Sequence, residues 1–254
     1  MLTTRSIPIK SEYEIKLMRE AGRITSGIMQ KLKAEIKPGV NAEYLNEFAE
    51  KEIARLKCTP AFKGYMGYTK SLCVSINNEV VHGVPSENKI LKVGDIVSID
   101  LGVEYKGFYG DMAVTVGVGK ISKSAQHLID VTKQALYEGI KKAISGNRLG
   151  DVSSAVQNYV EKNNYSVVRK FVGHGIGSKL HEEPEIPNFG IPNTGPELKN
   201  GMIFAIEPMV NEGSYEVEIL NDGWTTVTRD GKMSSHFEHN VLIWGMKPQI
   251  LTEQ

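Results

Sequence analysis

The chain has 254 residues, of which 41% are hydrophobic and 24% are charged, and its 30 Lys and Arg residues balance 30 Asp and Glu residues. This apolar fraction with no net charge excludes a disordered chain and gives no electrostatic reason to expect general nucleic-acid binding. No apolar run approaches the roughly 18 residues that a membrane-spanning helix needs.

The N-terminus and the cysteines indicate the cellular context. Residues 1–5 lack the apolar segment of a secretory signal, so we expect a cytoplasmic protein. The two cysteines, Cys58 and Cys73, are too few for a disulfide scaffold and form no CxxC zinc pair. We therefore expect a single domain over residues 1–254 that no disulfide or structural zinc site holds together.

Helical patterns come first along the chain. Ser11 followed by Glu14 is a capping-box pattern, which predicts that a helix begins there. Apolar residues then recur at helical spacing until Pro38 and Gly39 end the helix. These apolar residues are Ile15, Met18, Ile24, Ile28 and Leu32. A second helix is predicted from the spacing of Leu45, Phe48, Ile53 and Leu56.

The middle of the chain repeats this order of elements. Helices are predicted from Leu128 to Ile140 and from Val152 to Val160. Residues 91–100 (LKVGDIVSID) and 198–207 (LKNGMIFAIE) are identical at five positions with a constant offset of 107, and both end in an acid. We therefore predict an α+β fold of two pseudo-symmetric halves, roughly 11–118 and 119–246, with the functional site where they meet.

Two carboxylates lie on a predicted β-hairpin. Its strands cover residues 95–103 and 108–118, with a turn at residues 104–107. If Tyr105 and Lys106 are the central turn residues, Asp100 lies directly opposite Asp111. Directly opposite side chains have Cβ atoms about 4.5–5.5 Å apart, and like charges at that distance are destabilising. The pair must therefore share a proton, face water or share a metal.

Three further residues favour the metal. His174 lies among glycines in GHGIG (173–177), where its imidazole is unobstructed, and this segment fits no phosphate-loop signature. Glu207 ends an apolar strand and Glu238 precedes another, where an unpaired charge is costly. Four carboxylates and one imidazole suit Mn²⁺, Fe²⁺, Co²⁺ or Zn²⁺ in a two-metal site better than a cysteine-rich zinc site.

These residues belong to motifs that occur in a fixed order along the chain. The motifs are SINNEVVHGVP (75–85), SIDLG (98–102), GD (110–111), GHGIG (173–177), LHEEP (180–184), IEPM (206–209) and FEH (237–239). With them, nearly the whole sequence resembles the bacterial-type, type I methionine aminopeptidases of the pita-bread metallopeptidase superfamily. The resemblance implies the pita-bread fold, a curved antiparallel sheet with helices on its outer face. It also implies that two divalent ions are held by Asp100, Asp111, His174, Glu207 and Glu238.

The resemblance further implies an activity, the metal-dependent removal of an N-terminal methionine that precedes a small residue. Glu207 would move a proton from the attacking water to the leaving amine. His181 would donate a hydrogen bond to the substrate, and His82 would contact the region of the scissile bond. The side chains implied for the methionine pocket are Phe62, Tyr65, Tyr68, Cys73, His82 and Trp224. Phe62 stands where relatives often carry Cys, and core packing is the alternative role for Trp224.

Several alternatives are weighed against this assignment. Prolidase and aminopeptidase P carry a large additional N-terminal domain, for which the predicted helix near Ser11 leaves no room. Type II enzymes carry a long insertion between the last two acids, whereas Glu207 and Glu238 are only 31 residues apart. Non-catalytic pita-bread modules that bind RNA or protein have lost metal ligands. His236 and His239 flank Glu238, and each either orients a ligand or is a partly exposed strand residue.

The expected partners follow from the same resemblance. They are N-terminal methionyl peptides and nascent chains, with the ribosome as one place of encounter. We expect no membrane partner and a monomeric enzyme.

Overall fold

The computed structural model describes residues 6–253, so residues 1–5, where we expect no secretory signal, lie outside the described residues. The helices are α1 (Glu12–Glu35), α2 (Ala42–Arg55), α3 (Lys123–Lys142) and α4 (Leu149–Lys162). The strands before α3 are β1 (Thr59–Pro60), β2 (Leu72–Ile76), β3 (Glu79–Val81), β4 (Ile96–Tyr105) and β5 (Phe108–Gly117). The strands after α4 are β6 (Ser166–Val167), β7 (Gly173–Gly175), β8 (Glu182–Ile186), β9 (Ile203–Ile206), β10 (Met209–Asn211), β11 (Val217–Ile219), β12 (Thr226–Thr228), β13 (Ser234–His236), β14 (His239–Leu242) and β15 (Gln249–Ile250). None of the helices within residues 6–253 has both the length and the apolar composition that crossing a membrane requires.

Helix α1 begins as its capping box predicts. The Ser11 hydroxyl accepts a hydrogen bond from the backbone N–H of Glu14, and the Glu14 carboxylate accepts one from the N–H of Ser11. These two bonds satisfy donors that the first helical turn leaves free, which is worth about 1 kcal/mol. The helix ends at Glu35, three residues before Pro38. The predicted start of this helix is confirmed.

The β4–β5 hairpin forms where the sequence predicts it, but in a different register. Tyr105 pairs with Phe108, so the two central turn residues are Lys106 and Gly107, with φ of 51° and 83°. Two positive φ values are typical of a type I′ turn, whose twist matches that of the strands and which favours glycine at its second central position. The predicted turn, centred on Tyr105 and Lys106, is therefore wrong by one residue.

The register changes what lies opposite each acid. Asp100 is opposite Ala113, and Asp111 is opposite Gly102, so the prediction that the two acids face each other directly is wrong. A shift of two positions between partners keeps both side chains on the same face of the sheet, because side chains alternate with a period of two. The two carboxylates are therefore diagonal neighbours on that face.

Antiparallel sheets meet where these acids lie. The largest sheet has the strand order β15-β14-β9-β7-β8, and another places β4 between β5 on one edge and β1 and β2 on the other. Two three-stranded sheets, β13-β10-β6 and β11-β12-β3, complete the arrangement. The Glu238 N–H donates to the Ala113 carbonyl oxygen at 2.9 Å, and the Asp111 N–H donates to Asn240 Oδ1 at 2.8 Å. These bonds fix β5 against the start of β14.

The main hydrophobic core lies between the sheets and the helices. It contains fully buried side chains from both kinds of element, among them Ile28 of α1, Leu45 of α2, Ile99 of β4 and Phe204 of β9. Burying each such side chain contributes about 1.5–3 kcal/mol. The predicted α+β class is confirmed. The packing of this core fixes the positions of the strands on which the acids lie.

Candidate metal centre and active site

The predicted metal ligands converge at the meeting of the sheets. Ligand atoms of Asp111, His174 and Glu238 all lie within 4.8 Å of one another, and all three side chains are buried. His174 Nε2 lies 3.6 Å from Glu207 Oε1. Asp100 lines the same cavity as these residues and lies on the same face of the β4–β5 hairpin as Asp111. The structure thus brings the five side chains into one cluster.

Glycines explain how His174 reaches this cluster. A Cβ atom at Gly173 would collide with the carbonyl oxygen of Ala205, and one at Gly175 would collide with that of Glu183. The His174 ring donates from Nδ1 to the carbonyl oxygen of Gly175 at 2.9 Å, since a carbonyl can only accept. The proton therefore lies on Nδ1, and the lone pair of Nε2 faces the carboxylates as a metal ligand would.

The carboxylates of the cluster favour protons when no cation is present. Burial, reinforced by the charges of the neighbouring acids, raises the pKa of Asp100, Glu207 and Glu238 well above their usual range. Burial raises the pKa of Asp111 to about 7. Burial lowers the pKa of His174 to about 3, so its imidazole is neutral. A divalent cation would replace these protons and bind the anionic oxygens together with the neutral imidazole.

Unpartnered polar atoms test whether a cation fits this cluster. Asp100 Oδ1 and Glu238 Oε1 are buried and make no hydrogen bond within residues 6–253. Such orphaned acceptors are costly in a folded protein unless something else satisfies them. A cation bound among these oxygens would satisfy both atoms, so the residues present fit a divalent metal.

The cluster opens into a cavity of about 670 Å³. All the side chains predicted for the methionine pocket line this cavity, together with His181 and the acids: Phe62, Tyr65, Tyr68, Cys73, His82 and Trp224. Tyr68 and Trp224 pack edge to face with ring centroids 5.0 Å apart, and burial keeps the pKa of the Cys73 thiol well above its usual range. The part of the wall formed by Tyr68, Cys73 and Trp224 is therefore uncharged and largely aromatic, whereas Lys170, Lys179 and Glu183 line the cavity elsewhere.

Sequence reasoning missed several side chains of this cavity, among them one aromatic ring and two methionines. Phe171 packs edge to face against His82 with ring centroids 5.3 Å apart, and Met66 and Met209 line the same space. Phe171 lies between charged and aliphatic residues without a recognisable motif, so only the fold places it here. Met209 belongs to the IEPM motif, which marks its neighbourhood but not its direction.

The four remaining histidines of the site separate into two groups. His82 and His181 line the cavity, and burial lowers the pKa of His82 to about 4, which keeps it neutral. Desolvation also lowers the pKa of His181. His236 is 1% exposed, and its Nε2 lies 3.4 Å from Glu207 Oε2. His239 is 7% exposed and bonds instead to Thr252 Oγ1 at 2.9 Å.

The burial of His236 and His239 decides between the two alternatives for these residues. The alternative of partly exposed strand positions is wrong for both, because both side chains are buried. His236 faces Glu207, as a residue that orients a ligand would. His239 turns away from the cluster toward the C-terminal segment.

Comparison with known proteins places the chain in a family. Residues 16–244 match metallopeptidase family M24. A methionine aminopeptidase of Clostridium perfringens is 53% identical over 97% of this chain and 98% of its own length. Methionine aminopeptidase 1 of Bacillus subtilis is 49% identical over 96% of this chain and 98% of its own length. The crystal structure of a Thermotoga maritima methionine aminopeptidase is 45% identical, superposes with a TM-score of 0.97, and is matched over 98% of this chain and 100% of that one.

The chain belongs to metallopeptidase family M24, and it is a hydrolase of the metallo-exopeptidase class. Its high-identity relatives are methionine aminopeptidases, which confirms the resemblance found in the sequence. The prolidase of Pyrococcus furiosus is only 23% identical, with a TM-score of 0.79 over 97% of this chain and 65% of that one. That likeness concerns the fold alone, and it confirms the pita-bread architecture shared by both groups.

Proposed function

We propose that this chain hydrolyses the peptide bond after an N-terminal methionine when the second residue is small. The observation that carries the proposal is that the acid and histidine cluster lines the same cavity as an uncharged, largely aromatic stretch of wall. A peptide whose first side chain fills that cavity has its first peptide bond beside the cluster. The names of the high-identity relatives support the same activity.

We propose that Asp100, Asp111, His174, Glu207 and Glu238 hold two divalent ions, with Mn²⁺, Fe²⁺, Co²⁺ and Zn²⁺ as the candidates that this ligand set accepts. The orphaned oxygens of Asp100 and Glu238 and the free lone pair of His174 support this assignment. Bound ions would supply Lewis acidity and a water with a lowered pKa.

The neighbouring side chains would carry the proton and hold the substrate. Glu207 lies between His174 and His236, and its carboxylate would accept a proton from the attacking water and pass it to the leaving amine. His181 would donate a hydrogen bond to the substrate carbonyl oxygen as negative charge develops there. His82 is neutral and packs between Phe171 and Trp224, which directs its ring toward the first residue.

The pocket explains a preference for methionine. Sulfur–aromatic contacts with Tyr68 and Trp224 would each contribute about 0.3–1.5 kcal/mol, which favours a thioether modestly over an alkyl chain. A charged first residue would be buried without a partner, at a much larger cost.

Rates on a set of peptides test the proposal. Metal-loaded protein is incubated with Met-Ala-Ser, norleucine-Ala-Ser, Leu-Ala-Ser and Glu-Ala-Ser, and the released first residue is quantified. We expect methionine to be released fastest, norleucine within about tenfold because a hydrophobic pocket discriminates isosteres weakly, and no glutamate. Leucine released as fast as methionine would replace the proposal with a general metalloaminopeptidase. Protein treated with a chelator is the control, and it should release nothing.

The cytoplasmic location, the encounter with nascent chains at the ribosome and the monomeric state are proposals from the sequence. The neutral composition of the chain supports the absence of a general nucleic-acid partner. Size-exclusion chromatography with light scattering tests the monomer directly.

A further inference from the structure

The hydroxyl of Tyr65 lies 2.7 Å from Nδ1 of His181. The two rings also pack edge to face, with centroids 5.1 Å apart. Tyr65 therefore does more than line the methionine pocket, because it makes the one hydrogen bond that the His181 ring has within residues 6–253. The contact joins two parts of the chain that are 116 residues apart in sequence.

The loop that carries Tyr65 holds its ring in place. The Tyr65 N–H donates to the Phe62 carbonyl oxygen at 2.9 Å, and the Tyr68 N–H donates to the Tyr65 carbonyl oxygen at 2.9 Å. Gly64, Met66 and Gly67 all have positive φ, of 90°, 49° and 90°, so the turn is compact. The hydroxyl is thus presented to His181 by a backbone closed on itself, rather than by a freely moving loop.

The direction of this hydrogen bond decides which nitrogen of His181 carries the proton. A neutral imidazole has one N–H donor and one bare acceptor nitrogen. A phenol is a strong donor and a weak acceptor, and the Tyr65 hydroxyl has no other acceptor within residues 6–253. If the hydroxyl donates to Nδ1, the proton of His181 lies on Nε2, the nitrogen on the other side of the ring.

His174 shows the opposite arrangement a short distance away. The rings of His174 and His181 lie 4.2 Å apart, but the Nδ1 of His174 faces the carbonyl oxygen of Gly175, which can only accept. A carbonyl partner leaves Nε2 of His174 bare and able to bind a cation. A phenol partner leaves Nε2 of His181 protonated and able to donate, and a protonated nitrogen is no metal ligand.

We propose that Tyr65 is a positioning residue that fixes the tautomer of His181, so that His181 donates a hydrogen bond to the substrate and does not compete for the metal. The proposal rests on the proposed function for the identity of the substrate. It assigns different roles to His174 and His181, because the Nδ1 of one faces a carbonyl oxygen and the Nδ1 of the other faces a phenol hydroxyl.

A double-mutant cycle tests whether Tyr65 acts through His181. The variants Tyr65→Phe, His181→Ala and the double variant are assayed with Met-Ala-Ser, with bound metal and the thermal midpoint measured for each. We expect Tyr65→Phe to lower kcat about tenfold with KM within twofold, and to cause no further loss in the His181→Ala background. An equal loss in both backgrounds, or no loss in either, would overturn the proposal. Tyr109→Phe removes a hydroxyl from the same apolar cluster and should match the parent protein.

Nitrogen NMR gives a readout that needs no turnover. Protein labelled with ¹⁵N-histidine and loaded with Zn²⁺ is examined by long-range ¹H–¹⁵N correlation, with His181→Ala used to assign the ring. We expect the His181 proton on Nε2 in the parent protein and a mixture of both tautomers in Tyr65→Phe. A proton on Nδ1 in the parent protein would overturn the inference. Failure of the proposed function is distinguishable from failure of this inference, because the parent protein would then release no methionine.

Discussion

Among single residues, the histidines of the site differ in the group that each ring contacts. His174 bonds to a backbone carbonyl, His181 to a phenol, and His239 to the hydroxyl of Thr252. His236 faces the carboxylate of Glu207. On the proposed assignment, His174 is a ligand and His181 a substrate donor, and what each ring touches, not its position in the sequence, distinguishes them from His236 and His239.

The role of His181 predicts a loss of rate without a loss of metal. Replacing His181 with alanine removes one donor that is needed only as charge develops on the substrate, so kcat should fall about 10²–10³-fold. Bound metal, measured by atomic emission after dialysis, should be unchanged. A His181→Ala protein that has lost metal would make His181 a ligand and contradict this division of roles.

The carboxylate cluster predicts how metal stabilisation depends on pH. The pKa of Asp111 is raised from about 4 in the unfolded chain to about 7 in the metal-free fold, so this group stabilises the metal-free fold below pH 4 and that contribution is lost as the pH rises through 7. A bound cation replaces the protons, so the rise in Tm on adding Mn²⁺ should be larger at pH 7 than at pH 5. The comparison is made by differential scanning fluorimetry.

Asp111→Asn is the matched control for that comparison, because its amide cannot ionise. We expect a smaller change in the Mn²⁺-induced Tm shift between the two pH values in this variant. An equal shift at pH 5 and pH 7 in the parent protein would show that the acids are ionised before the metal binds.

The sequence predicted the acids but not all of their surroundings. Glu207 and Glu238 could be proposed as ligands because each borders an apolar strand, where an unpaired charge is costly, and Asp100 because the hairpin was expected to bring it close to Asp111. The bond from Tyr65 to His181 could not be found, because it joins residues 116 positions apart that only the fold brings together. His236 and His239 could not be separated, since both flank Glu238 and only the paths of β13 and β14 direct one ring inward.

At the scale of elements, a buried ion pair ties the segment before α1 to the loop that carries His181. The Lys10 ammonium contacts the Glu182 carboxylate, and the two side chains are only 5% and 8% exposed. Glu182 also accepts a hydrogen bond from the N–H of Lys179 at 3.2 Å, and the Lys10 N–H donates to the Gly201 carbonyl oxygen at 2.8 Å. Glu182 follows His181 directly, so this pair anchors the end of the loop that carries His181.

Breaking this pair should destabilise the fold. Lys10→Met keeps the aliphatic stem but leaves the Glu182 carboxylate buried alone, which should cost roughly 3–5 kcal/mol of unfolding free energy. Adding Glu182→Gln should recover most of that loss, because it removes the unpaired charge. Urea titration at constant m-value measures both effects. Lys10→Met with an unchanged midpoint would mean that the pair is solvated in solution.

The β4–β5 hairpin shows that the strands of an element could be predicted from the sequence but their register could not. Their richness in Ile, Val, Phe and Tyr located both strands, but several registers are compatible with that composition. The turn chooses among them through the backbone conformations that Lys106 and Gly107 adopt, and the positive φ of Lys106 is uncommon for a residue with a side chain. The prediction had the correct face of the sheet and the wrong partner, which is the error that a turn displaced by one residue produces.

At the scale of the whole molecule, the offset of 107 residues recurs in the backbone. Helices α2 and α4 have equal lengths of 14 residues and begin at Ala42 and Leu149. Two isolated bridges, Asn41 with Ile90 and Arg148 with Glu197, occupy corresponding places. These correspondences support the proposal of two pseudo-symmetric halves. On that proposal, Asp100 and Asp111 come from the first half and the remaining ligands from the second.

On the proposed function, one metal centre at this junction removes methionine and discriminates by the size of the second residue. The most direct test measures free methionine released from Met-Ala-Ser and Met-Phe-Ser by one metal-loaded preparation, before and after chelation. We predict rapid release from Met-Ala-Ser, release at least 100-fold slower from Met-Phe-Ser, on the order of a few kcal/mol of discrimination, and none from either after chelation. Release from both peptides at the same rate, or release that survives chelation, would contradict the account.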